Sequence, residues 1–386
     1  MTDAVPVSGR CDPRFAGVAD AFAENFRSRG EAGAAVAVTL QGEPVIDLWG
    51  GFADSARTRP WAEDTLVCMM SVAKAVTALC AAMAVDRGLI GWDEPVARYW
   101  PEFAAAGKGG IPVRWVLDHR AGLAAIAQPM PEGAAYDREA MTGALAAQAP
   151  LSPPGKARAY HSVTLGYLVG ELIRRTDGRS LGRFLAEEVC APHGIDYWIG
   201  LPPALHGRCA EFSGETGGTL FDRSDPDSLM ARAMAQVPAE DFNTERFRSA
   251  EIPSINGIGA ARGVARLFDG LAAGGVLDGR RLLSAEVLAE AATEQWFGKE
   301  DLLGHTRRMA LGFALGLPGH LAMGPSPRAF GHTGAGGAIG FADPDAGLGF
   351  AYAPNRMYSG PGISPRLSAL VDALYAVVHP GPIPGS

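Results

Sequence analysis

The sequence is short of lysine. Of its 386 residues, 34 are basic, and only four of these are lysines: Lys74, Lys108, Lys156 and Lys299. Positive charge is in deficit overall, with a formal net charge of −8. An acidic chain without a basic run argues against nucleic acid or an anionic membrane as partner. Cysteine is scarce: Cys11, Cys68, Cys80, Cys190 and Cys209 are odd in number, widely spaced and lack a CxxC. Free thiols in a reducing compartment fit that pattern better than a disulfide framework. The eight histidines form no HExxH and no Cys/His cluster, so no metal is expected. No apolar run is long enough for a membrane span, because residues 72–85 are too few and hold Lys74. The start, MTDAVPVSGRCDPRF, has an early acid, two prolines and no apolar core segment, unlike a secretory signal. These absences together predict a cytoplasmic protein.

What is present is a chain long enough for two domains, or for one large domain with an insertion. Hydrophobic residues make up 47%, enough for a substantial core. Glycine (50) and proline (28) are scattered, which suggests many turns. Phe15, Val18, Phe22 and Phe26 share one face of a predicted helix over residues 14–30. Residues 34–40 and 44–50 read as a strand hairpin around Gln41-Gly42-Glu43. From about residue 92 to 311 the pattern is mostly helical, and residues 205–255 read as irregular loops able to cover a cleft. Strand signals return at 330–333, 338–342 and 347–353, followed by an amphipathic helix through Leu367, Leu370, Val371, Leu374, Tyr375 and Val378.

Strands at both chain ends around a helical middle predict an α/β (α+β) fold. One antiparallel sheet would be built from both termini and flanked by helices, with a mostly helical domain inserted. The expected division is 1–70 plus 312–386 for the sheet domain and 71–311 for the helical one, with the site in the cleft between them.

Within residues 68–86, read as a buried helix, Lys74 is the only charged residue between Asp64 and Asp86. A buried lysine can lose its proton near neutral pH, whereas arginine cannot. Ser71 lies three residues earlier on the same helical face, so the pair reads as nucleophile and base. The plain alternative is a capping serine and a lysine snorkelling to water. With 18 serines and four lysines, chance supplies roughly 0.2 SxxK matches in such a chain. Tyr160-His161-Ser162 follows a turn and precedes a helix, where a tyrosine can project into a cleft. Beside an ammonium its hydroxyl pKa is expected to fall. Ser162 reads equally well as a helix cap. Gly331-His332-Thr333-Gly334-Ala335-Gly336-Gly337 marks a strand whose backbone a substrate can approach closely. Gly178-Arg179-Ser180-Leu181-Gly182 fits GxSxG, but no strand precedes it, so Ser180 reads as a helix N-cap. Trp61, Tyr136, Trp198 and Trp296 are candidates to shape an acyl pocket.

The order SxxK, YxS, HTG, spaced by roughly 90 and 170 residues, resembles the serine β-lactamase and penicillin-binding-protein superfamily. It is most similar to the class-C-like branch with the family VIII carboxylesterases. Leu117-Asp118-His119-Arg120-Ala121-Gly122-Leu123 is similar to that family's LLxHxxGL segment. The resemblance spans about residues 33–375. It implies Ser71 as the acyl-accepting serine, Lys74 as its lysine and Tyr160 as the catalytic tyrosine. The N–H groups of Ser71 and Ala335 would form the oxyanion hole. Gly334 and Gly336 would leave room for substrate beside them. His332 stands where the family's KTG lysine would be, and Ser162 where its YxN asparagine would be.

Losing that lysine weakens carboxylate binding, and losing the asparagine removes a partner for a substrate amide. The implied activity is therefore a cofactor-free serine carboxylesterase acting on short-chain esters. Weak β-lactamase, D-amino-acid peptidase or amidase, and acyltransferase activities share the same acyl-enzyme. A non-catalytic binding protein on the same fold is the remaining alternative.

Overall fold

The computed structural model describes residues 6–214, 225, 227–238, 242–360 and 362–379. Part of the 205–255 segment expected to cover a cleft, and the first five residues of the start read above, lie outside these.

A nine-stranded antiparallel sheet organises the molecule. Its strands are β1 (Val7–Cys11), β2 (Gly33–Leu40), β3 (Glu43–Gly51), β4 (Trp296–Lys299), β5 (Thr306–Met309), β6 (Ala314–Leu315), β7 (Phe330–Thr333), β8 (Ile339–Asp343) and β9 (Leu348–Pro354). The spatial order is β1-β3-β2-β9-β8-β7-β6-β5-β4. The first and last thirds of the chain meet where β9 pairs with β2, Tyr352 opposite Val36. The tight β2–β3 turn holds Gln41 at φ 51° and Gly42 at φ 86°. Positive φ at both central residues matches the right-handed twist of the flanking strands.

Helices cover both faces, so β2 and β9 are buried almost throughout instead of alternating. On one face lie α1 (Ala16–Ser28) and the closing helix α5 (Pro365–Val378). Phe15, just ahead of α1, with Val18 and Phe22 of α1 and Leu370 and Leu374 of α5, packs on Val36, Val38 and Ile46. On the other face lies α4 (Ala261–Ala272), seated where the sheet has no side chain. A Cβ on Gly349 would stand 2.0 Å from the Ala265 carbonyl oxygen.

Between these parts runs α2 (Val72–Asp86), buried from Val72 to Ala84 on all sides. A helix apolar all round belongs inside a core. The predicted helix over 68–86 starts later than expected, because Cys68 belongs to a strand. Val67–Cys68 pairs with Gly257–Gly259, which pairs in turn with Tyr197–Ile199. Three further strands were not legible in the sequence. β1 pairs with β3 but leaves Ser8, Gly9 and Arg10 exposed, so it carries no apolar alternation. β4 and β5 bring the sheet in ahead of residue 312, inside the stretch that reads as helical. Their sequences, WFGK and TRRM, are short and polar for strands.

Candidate active site

The polypeptide delivers Ser71 on a turn between a strand and α2. Met69 N–H donates to the Gly257 carbonyl, and Met70 is left-handed at φ 49°. A methionine in that region is strained and persists only where its surroundings hold it. Ser71 occupies the N-cap position, yet its hydroxyl makes no capping bond. Lys74 is fully buried and does not reach solvent. The capping serine and the snorkelling lysine are both ruled out.

Lys74 Nζ donates to two carbonyls, Ser162 O at 2.7 Å and Ser254 O at 2.9 Å, and lies 3.1 Å from Ser71 Oγ. A neutral amine has two N–H groups and one lone pair. In that state the two carbonyls would take both N–H groups and the lone pair would face the Ser71 hydroxyl. Burial first, and then the charge of Arg307, hold the Lys74 pKa well below its ordinary value of 10.5.

Tyr160 stands at the mouth of α3 (Thr164–Asp177). Its hydroxyl lies beside Ser71 and 3.3 Å from His332 Nε2. His332 Nδ1 is 2.6 Å from the Thr333 carbonyl, so Nδ1 carries the proton and Nε2 accepts from the phenol. Burial pushes Tyr160 up to about 12, against the opposing pull of Arg307 and of Ser71's hydrogen bond. This corrects the expectation of a lowered tyrosine pKa: desolvation outweighs the opposing charge of Arg307. His332 is pushed down to about 3, by burial above all. It is therefore neutral near pH 7, and no cation stands where a KTG lysine would be.

The ring of His119 packs 4.8 Å from that of Tyr160, centroid to centroid. His119 Nδ1 accepts the His161 N–H at 3.0 Å, and His161 Nε2 accepts the Leu123 N–H at 3.3 Å. Both histidines are structural props behind the tyrosine.

Glycine decides the opposite wall. A Cβ on Gly334 would lie 2.1 Å from the Met69 carbonyl oxygen, so only glycine lets the end of β7 touch the Ser71 turn. Gly336 and Gly337 have φ of 91° and 104°. Ala335 and Ser71 line the same cleft, and among the described residues neither N–H has a hydrogen-bond acceptor. Ser162 lines the cleft as well, but its carbonyl rather than its hydroxyl holds Lys74, and the N-cap of α3 is Val163.

The cleft encloses about 660 Å³. Its apolar wall is made by Met230, Met234, Phe242, Leu315 and Leu321. Trp61, Tyr136, Trp198 and Trp296, expected to shape an acyl pocket, are not among the lining residues. Ser180 caps the helix Leu181–Leu185 and donates to Glu251, with no lysine or histidine among its hydrogen-bond partners in the described residues. Arg307 was missed. Its guanidinium carbon sits 4.8 Å over the Tyr160 ring, and it lines the cleft. Where 30 of 34 basic residues are arginine, one arginine inside TRRM carries no signal.

A family model described as Beta-lactamase matches residues 18–373. The chain belongs to the beta-lactamase family. Esterase/beta-lactamase LipL of Mycobacterium tuberculosis (strain ATCC 25618 / H37Rv) is 35% identical over 378 residues, covering 92% of this chain and 84% of LipL. A penicillin-binding protein homolog from Caulobacter crescentus superposes with a TM-score of 0.91 at 40% identity, covering 96% of this chain and all of that one. A family VIII carboxylesterase superposes at 0.89 with 40% identity and the same coverage. This member of the beta-lactamase family is a serine hydrolase, and its sheet, flanked by helices, is that family's fold. No helix among the described residues is long and apolar enough to cross a membrane.

Proposed function

We propose that the protein is a serine carboxylesterase with Ser71 as nucleophile, Lys74 as base and Tyr160 as proton shuttle. The observation that carries this is the bonding around Lys74: two carbonyls take its N–H groups, leaving its lone pair for Ser71. Neutral Lys74 takes the Ser71 proton as Oγ bonds to the ester carbonyl carbon. The oxyanion rests against the N–H groups of Ser71 and Ala335, beside Gly334 and Gly336. The C–O bond to the alcohol breaks, and Tyr160 supplies the leaving oxygen's proton, replaced from Lys74. Water then enters, gives one proton back through Tyr160, and releases the acid and free Ser71. The substrates are small esters, both halves of which fit about 660 Å³. The uncharged His332 and the serine at 162 favour esters over lactams and peptides.

The free thiols of all five cysteines suit a reducing, cytoplasmic location. The test is the intact mass of the protein after mixing with p-nitrophenyl butyrate. A butyryl adduct is expected in the native protein and absent in Ser71→Ala. Unchanged turnover by Ser71→Ala overturns the assignment. Nitrocefin and a D-aminoacyl amide, assayed alongside, are expected to turn over more slowly than the ester.

A further inference from the structure

Glu300 is a buried carboxylate to which the mechanism assigns no part. It follows β4 directly and is 1% exposed. Among the described residues its side-chain hydrogen-bond partners are all backbone N–H groups. Oε2 accepts from Tyr160 at 3.2 Å and Leu302 at 2.9 Å, and Oε1 from Leu303 at 2.6 Å. A carboxylate taken out of water is unfavourable unless its lone pairs are met, and here three amides meet them. The Leu302 and Leu303 bonds close a turn over residues 300–305, together with the Glu300 N–H on the His305 carbonyl at 3.0 Å. That turn needs nothing from Tyr160, which stands 140 residues earlier in the chain. Asp301 doubles the link: its N–H donates to the Arg158 carbonyl at 2.8 Å, and its carboxylate accepts the Arg158 N–H at 2.8 Å. The turn is thus strapped to the two residues flanking Ala159. Leu303, Gly304, His305, Thr306 and Arg307, on and after it, line the cleft.

Resting on the esterase reading above, we propose that Glu300 is a positioning residue for the Tyr160 proton shuttle. It fixes the tyrosine's backbone to the wall of the cleft, so that the hydroxyl stays beside Ser71 and His332 while the leaving oxygen departs. The need follows from how Tyr160 is held elsewhere. Its hydroxyl must exchange a proton, so it cannot also serve as a fixed anchor. Its ring has the His119 ring at 4.8 Å and the Lys74 amine and Arg307 guanidinium carbon each at 4.8 Å. Such ring contacts are less directional than a hydrogen bond. A bond from the backbone N–H to an ionised acceptor is stronger than a neutral one, and it fixes the point from which the side chain projects. Burial above all, with the Glu300 charge in addition, favours the protonated phenol that a departing alkoxide requires.

The test uses two acetate esters whose leaving groups differ in their need for a proton. p-Nitrophenolate leaves p-nitrophenyl acetate unprotonated, whereas the ethyl acetate alkoxide has to be protonated as it leaves. The readout is kcat/KM for ethyl acetate divided by kcat/KM for p-nitrophenyl acetate. Glu300→Ala is expected to lower this ratio by about tenfold to a hundredfold, with the circular dichroism unchanged. Glu300→Gln, which keeps one acceptor oxygen but not the charge, is expected to lower it less. An unchanged ratio in Glu300→Ala, with both rates falling together, overturns the proposal and leaves Glu300 as a staple of the 300–305 turn. If Glu300→Ala does not fold, Glu300→Gln decides by the same ratio: a fall supports the proposal, and no change overturns it. Tyr160→Phe run in parallel separates the two readings. An unchanged ratio there, or a native protein that does not cleave ethyl acetate, removes the leaving-group role of Tyr160 and this proposal with it. A lowered ratio there, with an unchanged one in Glu300→Ala, removes Glu300 alone.

Discussion

At the scale of single residues, the chemistry turns on which groups are uncharged. Lys74 is enclosed by α2 and the carbonyls of Ser162 and Ser254, and desolvation penalises its ammonium. Lys74→Arg keeps the length and charge but cannot deprotonate. It is expected to lower kcat by about a hundredfold to ten-thousandfold on p-nitrophenyl acetate with the circular dichroism unchanged. Retained activity would remove Lys74 as base. In the native enzyme kcat/KM should rise with pH through the depressed lysine pKa, well below 10.5, as the amine is freed. Tyr160, pushed up to about 12, should give no falling limb at lower pH.

His332 makes a separate prediction about stability. Its folded pKa, about 3, lies below its ordinary 6.5, so between those values the unfolded chain binds a proton that the folded chain refuses. The stability associated with neutral His332 is therefore present above 6.5 and lost as pH falls toward about 3, at up to about 1.4 kcal/mol per pH unit. His332→Gln, which cannot titrate, should flatten that acid limb in urea titrations. An equally steep limb would show that other buried groups, such as His161, carry it.

At the scale of elements, two serines with motif-like surroundings part company. Ser180 bonds Arg183 N–H and Glu251 at a helix start, so Ser180→Ala is expected to lose about 1 kcal/mol of stability and keep most activity. Ser71 sits at a helix start without capping it, and its hydroxyl is left to Lys74 and Tyr160. The end of β7 meets the Ser71 turn through Gly334. The methyl of Gly334→Ala would strike the Met69 carbonyl and push that strand away from Ser71. Overpacking of this kind costs about 1–3 kcal/mol, while activity is expected to fall far more, because the displacement lies at the reacting atoms. Stability and kcat measured on one preparation check this: parallel small losses would mean that β7 takes no part in the chemistry.

At the scale of the whole molecule, the sheet is closed by chain ends that meet late. β9 pairs with β2, and α5 covers the same face as α1 with Leu367, Leu370, Val371, Leu374 and Tyr375. A chain ending before Pro365 would expose that face, and is expected to bind a hydrophobic dye and aggregate. A soluble, active truncated chain would contradict this account of the core. The same assembly explains why Arg307 escaped notice. Its strand lies ahead of the recognised C-terminal strands, and only the closed sheet swings it over Tyr160.

The sequence by itself determined the elements with strong periodicity: α1, the β2–β3 hairpin, the C-terminal strands and α5. It also singled out Ser71 and Lys74, because a lone lysine in an apolar helix is a local anomaly, while Tyr160 and His332 stood out through the ordered resemblance to the family. Polar short strands such as β1, β4 and β5 left no pattern, since exposed or edge positions impose no apolar alternation. The tertiary structure alone decided the charge states and the company each residue keeps. Burial is a property of everything packed around a group, so the lowered lysine pKa, the protonated tyrosine and the uncharged histidine could not be read from neighbours in the chain. Arg307 is of the same kind: an arginine among thirty, marked out only by its place over the Tyr160 ring in the folded cleft.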